Sequence, residues 1–110
     1  MIVYNVTVKV DLAIAEDWLD WMKTEHIPEV LATGMFISYR MLRILNDEDP
    51  DGKSYAMQYT CKDHATLQAY LGSYAPALQK KHKDRYNNNY IAIRTLMKVE
   101  EERVLYSSES

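Results

Sequence analysis

The chain has 110 residues, 47% hydrophobic and 26% charged, with a formal net charge of -3. That length and balance fit one globular domain with a modest core and exclude a wholly disordered chain. The weakly acidic charge argues against a general nucleic-acid binder and against attraction to anionic membranes.

Ile2, Tyr4, Val6, Val8 and Val10 alternate with Val3, Asn5, Thr7 and Lys9, which predicts a first strand with one strongly apolar face. The same stretch has no basic leader and no small-residue cleavage site, so a signal peptide is not expected. The period then lengthens. Leu19, Met22, His26 and Val30 recur at helical spacing, with Trp18 and Trp21 flanking the stripe. Pro28 cannot donate a backbone hydrogen bond, so the helix should kink or restart around His26 and Ile27. Gly34 should close it.

Phe36 to Leu45 reads as a second strand and Lys53 to Cys61 as a third, paired as an antiparallel hairpin through a tight connection at "NDEDPDGKS". Tyr55, Met57, Tyr59 and Cys61 share one face of the third strand. Asp63 is placed to cap a second helix whose inner face includes Leu67, Tyr70 and Leu71. Gly72 and Pro76 interrupt it, and "APALQKKHKDRY" resumes it through Tyr86. Tyr90 to Val99 is the last strand, and residues 100–110 lose the alternation and read as a frayed polar tail. The expected domain is therefore residues 1–99. Its order is βαββαβ, with two proline-broken helical segments over a four-stranded antiparallel sheet: an α+β, ferredoxin-like arrangement.

Two helical layers cover one face of such a sheet. The predicted strands are apolar on both, with Tyr90, Ala92 and Leu96 set against Ile91, Ile93, Met97 and Val99. A bare face of that kind exceeds what soluble monomers usually expose, so a homodimer with sheets packed face to face is expected. Alternation alone does not say which face is shared. The nine tyrosines agree with a protein whose surfaces meet something.

"YNVTVKV", "WLDWMKTEHIPEVLATGMF", "YAMQYTC" and "APALQKKHKDRY" resemble the bacterial domain-of-unknown-function family 4286 over nearly the whole chain up to Val99. That resemblance implies fold and range, and it brings no catalytic residues. More distantly, the architecture is similar to the dimeric α/β-barrel superfamily, which includes cofactor-free antibiotic-biosynthesis monooxygenases, haem-degrading monooxygenases and isomerases. Several of its members carry a histidine followed by a proline late in the first helix, as "HIP" does here. The asparagine–tryptophan–histidine set of the haem-degrading group is not matched, since Asn5 and Trp18 do not align with a haem-ligating histidine.

His26 is the leading catalytic candidate, because imidazole titrates near neutral pH. Its structural alternative is a histidine satisfying backbone groups freed at the kink. His82, amid Lys80, Lys81, Lys83 and Arg85, could serve an anionic ligand. The competing reading is a solvated helix face with His82 bonded locally. Arg40 and Arg94 interrupt apolar strand faces and need a carboxylate, a carbonyl or a ligand anion, with Glu29, Asp17 or a second subunit as suppliers. Tyr59, with Tyr55 and Gln58, could line a pocket, although packing is the ordinary role of strand tyrosines. Trp18 is a ligand-binding candidate whose default role, like that of Trp21, is fastening helix to sheet.

Cys61 is the only cysteine, which suits a reducing bacterial cytoplasm. The histidines show no metal-ligand spacing, there is no phosphate-binding glycine loop, and no apolar run approaches the roughly 18 residues of a membrane helix. No metal, cofactor, nucleic-acid or membrane partner is expected. The functional expectation is a cofactor-independent monooxygenase or isomerase of a small aromatic or acidic metabolite. The alternative is a non-catalytic ligand-binding or interaction module.

Overall fold

The computed structural model describes residues 1–105. A central strand, β1 (Ile2–Asp11), pairs antiparallel with β3 (Gly52–Cys61) on one side and β4 (Tyr90–Lys98) on the other, and β2 (Ser38–Arg43) pairs antiparallel with β3. The sheet order is β2-β3-β1-β4. Between β1 and β2 lie a short 3₁₀ turn at Leu12–Ile14, helix α1 (Ala15–Trp21), a π-helical turn at Met22–His26 and helix α2 (Ile27–Ala32). Between β3 and β4 lie α3 (His64–Ser73) and α4 (Ala75–Tyr86), broken at Tyr74. This is the ferredoxin-like α+β fold.

Register decides which face the helices cover. Tyr4 opposes Tyr59 on one side and Leu96 on the other, and Val8 likewise opposes Tyr55 and Ala92. The even-numbered residues of β1 therefore lie under the helices, where Val8, Val10, Trp18, Leu67 and Cys61 are fully enclosed. Val3, Asn5, Thr7 and Lys9 share the uncovered face with Ile91, Ile93, Thr95 and Met97 of β4 and with Arg40 and Leu42 of β2. Ile91 and Ile93 are 68% and 63% exposed there. Along this face Arg40 donates to Gln58 at 2.9 Å, Gln58 to Asn5 at 3.2 Å, and Asn5 to Thr7 at 2.9 Å.

The irregularity at Pro28 is a π turn. The Ile27 N–H reaches back five residues to the Met22 carbonyl, and the missing donor of Pro28 then falls in the first turn of α2, where an intrahelical partner is not needed. Gly34 ends α2 at φ +76°, the left-handed geometry glycine adopts without cost. Asp63 caps α3, its Oδ1 accepting from the Thr66 N–H at 2.8 Å.

β2 is shorter than the predicted 36–45 stretch. Phe36 turns into the helix-side core, 4.7 Å from the Tyr70 ring, so it does not share the face of Leu42. The connection from β2 to β3 is longer than a tight turn. Asp47 accepts from Ser54 and from the Asp49 N–H, Asp49 accepts from the Asp51 N–H, and Lys9 pairs with both carboxylates, at 3.2 and 2.7 Å. Residues 100–105 are exposed and carry no helix or strand. The rest of the expected tail, 106–110, lies outside the described residues.

Candidate functional site

The helix-side layer leaves a cavity of about 40 Å³ between β1, β4, the π turn and α4, bordered on one side by the exposed Arg94. That is room for a water or two. Its polar wall consists of Tyr4, Tyr59, Tyr70, His26, Gln79, His82 and Arg94, and no carboxylate among the described residues lines it. One irregular and one regular element deliver the histidines. The π turn carries His26 inward, and the Leu78, His82, Tyr86 spacing puts His82 on the buried stripe of α4. Their ring centroids are 5.7 Å apart.

His26 stacks on Trp21 at 5.0 Å, and its Nδ1 is buried without a hydrogen-bond partner among the described residues. It therefore does not repair the backbone at the kink, as one sequence reading held. Burial pulls its pKa from 6.5 down to about 4, against a smaller upward pull from Glu29. His82 corrects the expectation of a locally bonded, solvated residue. Lys80, Lys81, Lys83 and Arg85 are exposed, but His82 is only 8% exposed, and its Nε2 accepts a 2.8 Å hydrogen bond from Trp18 Nε1, 64 residues away. Burial lowers its pKa to about 4 as well, with His26 and Arg94 adding to the effect.

Arg94 donates from Nε to the Tyr4 hydroxyl at 3.2 Å, and Arg40 bonds Gln58 on the opposite sheet face. Arg40 thus finds a carbonyl oxygen and Arg94 a phenol, and neither pairs with Glu29 or Asp17. Glu29 is taken by Lys81 at 2.7 Å, and Asp17 accepts from Tyr86 at 2.8 Å. Trp18, fully buried, does not line the cavity; it fastens α1 against Tyr55 at 5.2 Å and holds His82. Tyr59 does line it, whereas Gln58 lies on the other side of the sheet. Burial raises the pKa of Tyr59 and Tyr70 above the ordinary 10, so both are neutral phenols.

Tyr4 was missed as a site residue. Its signal was available, since parity puts it on the face of Arg94 as a diagonal cross-strand neighbour. Among the described residues no three His, Cys, Asp or Glu side chains converge as metal ligands, and no helix is long and apolar enough to cross a membrane.

The model for Domain of unknown function (DUF4286) matches residues 1–100. The chain belongs to this family. In sequence, no curated protein matches it. In structure, the DUF4286 chain is similar to a dimeric ferredoxin-like protein from an uncultured marine organism, with a TM-score of 0.65 and 14% identity over 93% of this chain and 98% of that one. It is also similar to the haem-degrader MhuD of Mycobacterium tuberculosis, solved with two haems in its active site, with a TM-score of 0.70 and 15% identity over 94% and 100%. A third is a variant of SnoaB, a cofactor-independent oxygenase of Streptomyces nogalater, with a TM-score of 0.62 and 12% identity over 92% and 95%. Likeness at these identities establishes a shared fold.

Haem does not fit the residues present. The cavity is far too small for a porphyrin, and His82 Nε2 is engaged by an indole donor. Asn5 is on the uncovered face, bonded to Thr7 and Gln58, with the sheet between it and both cavity histidines.

Proposed function

We propose that this DUF4286 protein binds a small aromatic or acidic metabolite in the helix-side cavity and performs cofactor-independent proton-transfer chemistry there, as an isomerase or monooxygenase. The observation that carries the reading is that His26, whose buried Nδ1 has no partner among the described residues, lines the same cavity as Arg94. A neutral imidazole with a pKa near 4 is a weak base, so the substrate proton must itself be acidic, on a phenol, an enol or a carbon beside a carbonyl. Removing it leaves an anion whose charge Arg94 offsets. Returned to another carbon, the proton gives an isomer with no net oxidation. With O₂ as co-substrate, a CH₂ carbon becomes a carbonyl and the second oxygen atom leaves as water, which balances the electrons.

A homodimer belongs to the same reading. A second copy would cover the uncovered sheet face, where Ile37, Leu42, Ile91, Ile93 and Met97 are exposed. The buried free thiol of Cys61 fits a reducing bacterial cytoplasm.

The alternative, a non-catalytic ligand-binding or protein-interaction module, is favoured by one observation, the nearly filled cavity. A thermal-shift screen over a metabolite library, followed by incubation of each stabilising compound in air and under nitrogen, separates the two. Conversion of a phenolic or carboxylic compound, abolished in His26→Ala and weakened in Arg94→Gln, is the expected result. Binding without conversion favours the alternative. A screen in which no acidic or aromatic compound stabilises the protein refutes both ligand readings.

A further inference from the structure

The two imidazoles of the cavity are held in opposite ways, and Trp18 makes the difference. An indole N–H can only donate. Trp18 Nε1 lies 2.8 Å from His82 Nε2, so Nε2 presents its lone pair and neutral His82 carries its proton on Nδ1. Trp18 is fully buried, so no water can replace this acceptor. Aromatic rings crowd the rest of the imidazole, with Tyr90 edge-on at 4.3 Å and Tyr86 at 5.6 Å. Nδ1–H is the one polar group His82 has left for a ligand, and it is a donor. His26 has no such lock: stacked on Trp21, it keeps an unpartnered Nδ1. Arg94 supplies the cavity's positive charge, and no carboxylate among the described residues opposes it there.

We infer that Trp18 locks His82 as the Nδ1–H tautomer, making it the cavity's fixed hydrogen-bond donor for a carboxylate or enolate oxygen shared with Arg94, while His26 receives the ligand's proton. The ligand half rests on the proposed function; the tautomer half does not. His82 cannot serve as a base, because its only lone pair is used by Trp18. Trp18 is accordingly a positioning residue, acting on ligands through His82. Admitting anything larger than water requires the cavity to open, and Met22 and Gln79 in its wall have flexible side chains suited to moving aside.

The test is a long-range ¹H–¹⁵N correlation spectrum of ¹⁵N-histidine-labelled protein at neutral pH. His82 should show a protonated Nδ1 and a bare Nε2. In Trp18→Phe the proton should move toward Nε2. If that variant does not fold, His82→Gln should keep the Trp18 indole N–H slow to exchange, since the amide oxygen can accept it. A wild-type His82 protonated on Nε2, or carrying both protons, overturns the inference. Benzoate is the ligand probe and benzamide its neutral control. Benzoate should shift the His82 Nδ1 and His26 resonances, benzamide should not, and Arg94→Gln should weaken benzoate about tenfold. Equal responses to both, or none, overturn the ligand half. A locked tautomer that responds to benzoate, in a protein that converts no compound, keeps the inference and removes the catalytic reading.

Discussion

Mild acid should destabilise this protein, because two neutral histidines are buried side by side. Burial, the larger effect for each, brings His26 and His82 to about 4 from an ordinary 6.5. Both regain ordinary basicity when the chain unfolds. Between pH 6.5 and 4 the unfolded chain binds protons that the folded chain refuses, so stability falls as pH falls and is fully present only above about pH 6.5. Moving one imidazole from 6.5 to about 4 corresponds to about 3 kcal/mol. The exposed Arg94 side of the cavity lets solvent offset part of that, so roughly 3 kcal/mol is expected for the pair rather than twice as much. Asp47, Asp49 and Asp63 are held below the usual 3.8, chiefly by Ser54, Lys9 and Thr66 respectively, and so lose their protection at lower pH. The assay is urea unfolding in half-unit steps from about pH 7.5 to 4. His26→Gln and His82→Gln should each flatten the curve, and the double variant should remove most of the slope. A wild-type curve level across this window, or an unchanged slope in the double variant, refutes the reasoning.

The uncovered sheet face predicts that light scattering finds about twice the 12.9 kDa chain mass, and that Ile93→Glu lowers it to the monomer value. Met41→Glu should instead unfold the chain, because Met41 packs against the core. Asp63→Ala should cost about 1 kcal/mol in chemical denaturation, by removing the cap on α3. Gly34→Ala should cost about 1–2 kcal/mol, entirely through the left-handed backbone, since an added Cβ meets nothing within 4 Å. His26→Met should raise the melting temperature, because it keeps a flexible side chain against Trp21 and removes a buried nitrogen that has no partner, worth about 1–3 kcal/mol; a lower melting temperature would mean that the nitrogen is satisfied in solution.

The element order was legible because each signal was local. Alternation set β1 and β4, Asp63 marked its helix start, and Gly34 marked its helix end. Pro28 located the irregularity between α1 and α2 but not its form, because a π turn depends on which carbonyl the Ile27 N–H selects. The covered face was legible in β1, where alternation separates Tyr4 from Asn5, but not in β4, where both parities are apolar. The same gap hid the separation of Arg40 from Arg94, since their strands lie on opposite edges of the sheet and their side chains on opposite faces. His82 was misread for another reason. Its flanking lysines describe the outside of α4 correctly, but its partner Trp18 enters from α1 across the core.

The tyrosine-rich composition has its explanation in the helix-side layer. Tyr4, Tyr39, Tyr55, Tyr59 and Tyr70 all sit there, where phenylalanine would bury the same ring without a polar tip. Their hydroxyls fare differently. Tyr4 accepts from Arg94, and Tyr86 of α4 donates to Asp17, whereas the buried Tyr39 hydroxyl, like His26 Nδ1, has no partner among the described residues. A core selected for stability alone would replace each orphan by an apolar group of similar shape. The two orphans are not equivalent. Tyr39 is on β2, outside the cavity wall, and its ring packs against Tyr59 at 4.9 Å, so its hydroxyl is the incidental end of a packing residue. His26 sits in the cavity wall at the one turn where the helix changes its hydrogen-bond register, beside a second histidine whose tautomer is already fixed. The proposed function assigns the unpaired atom at His26 to a ligand, whereas packing is enough to account for the one at Tyr39.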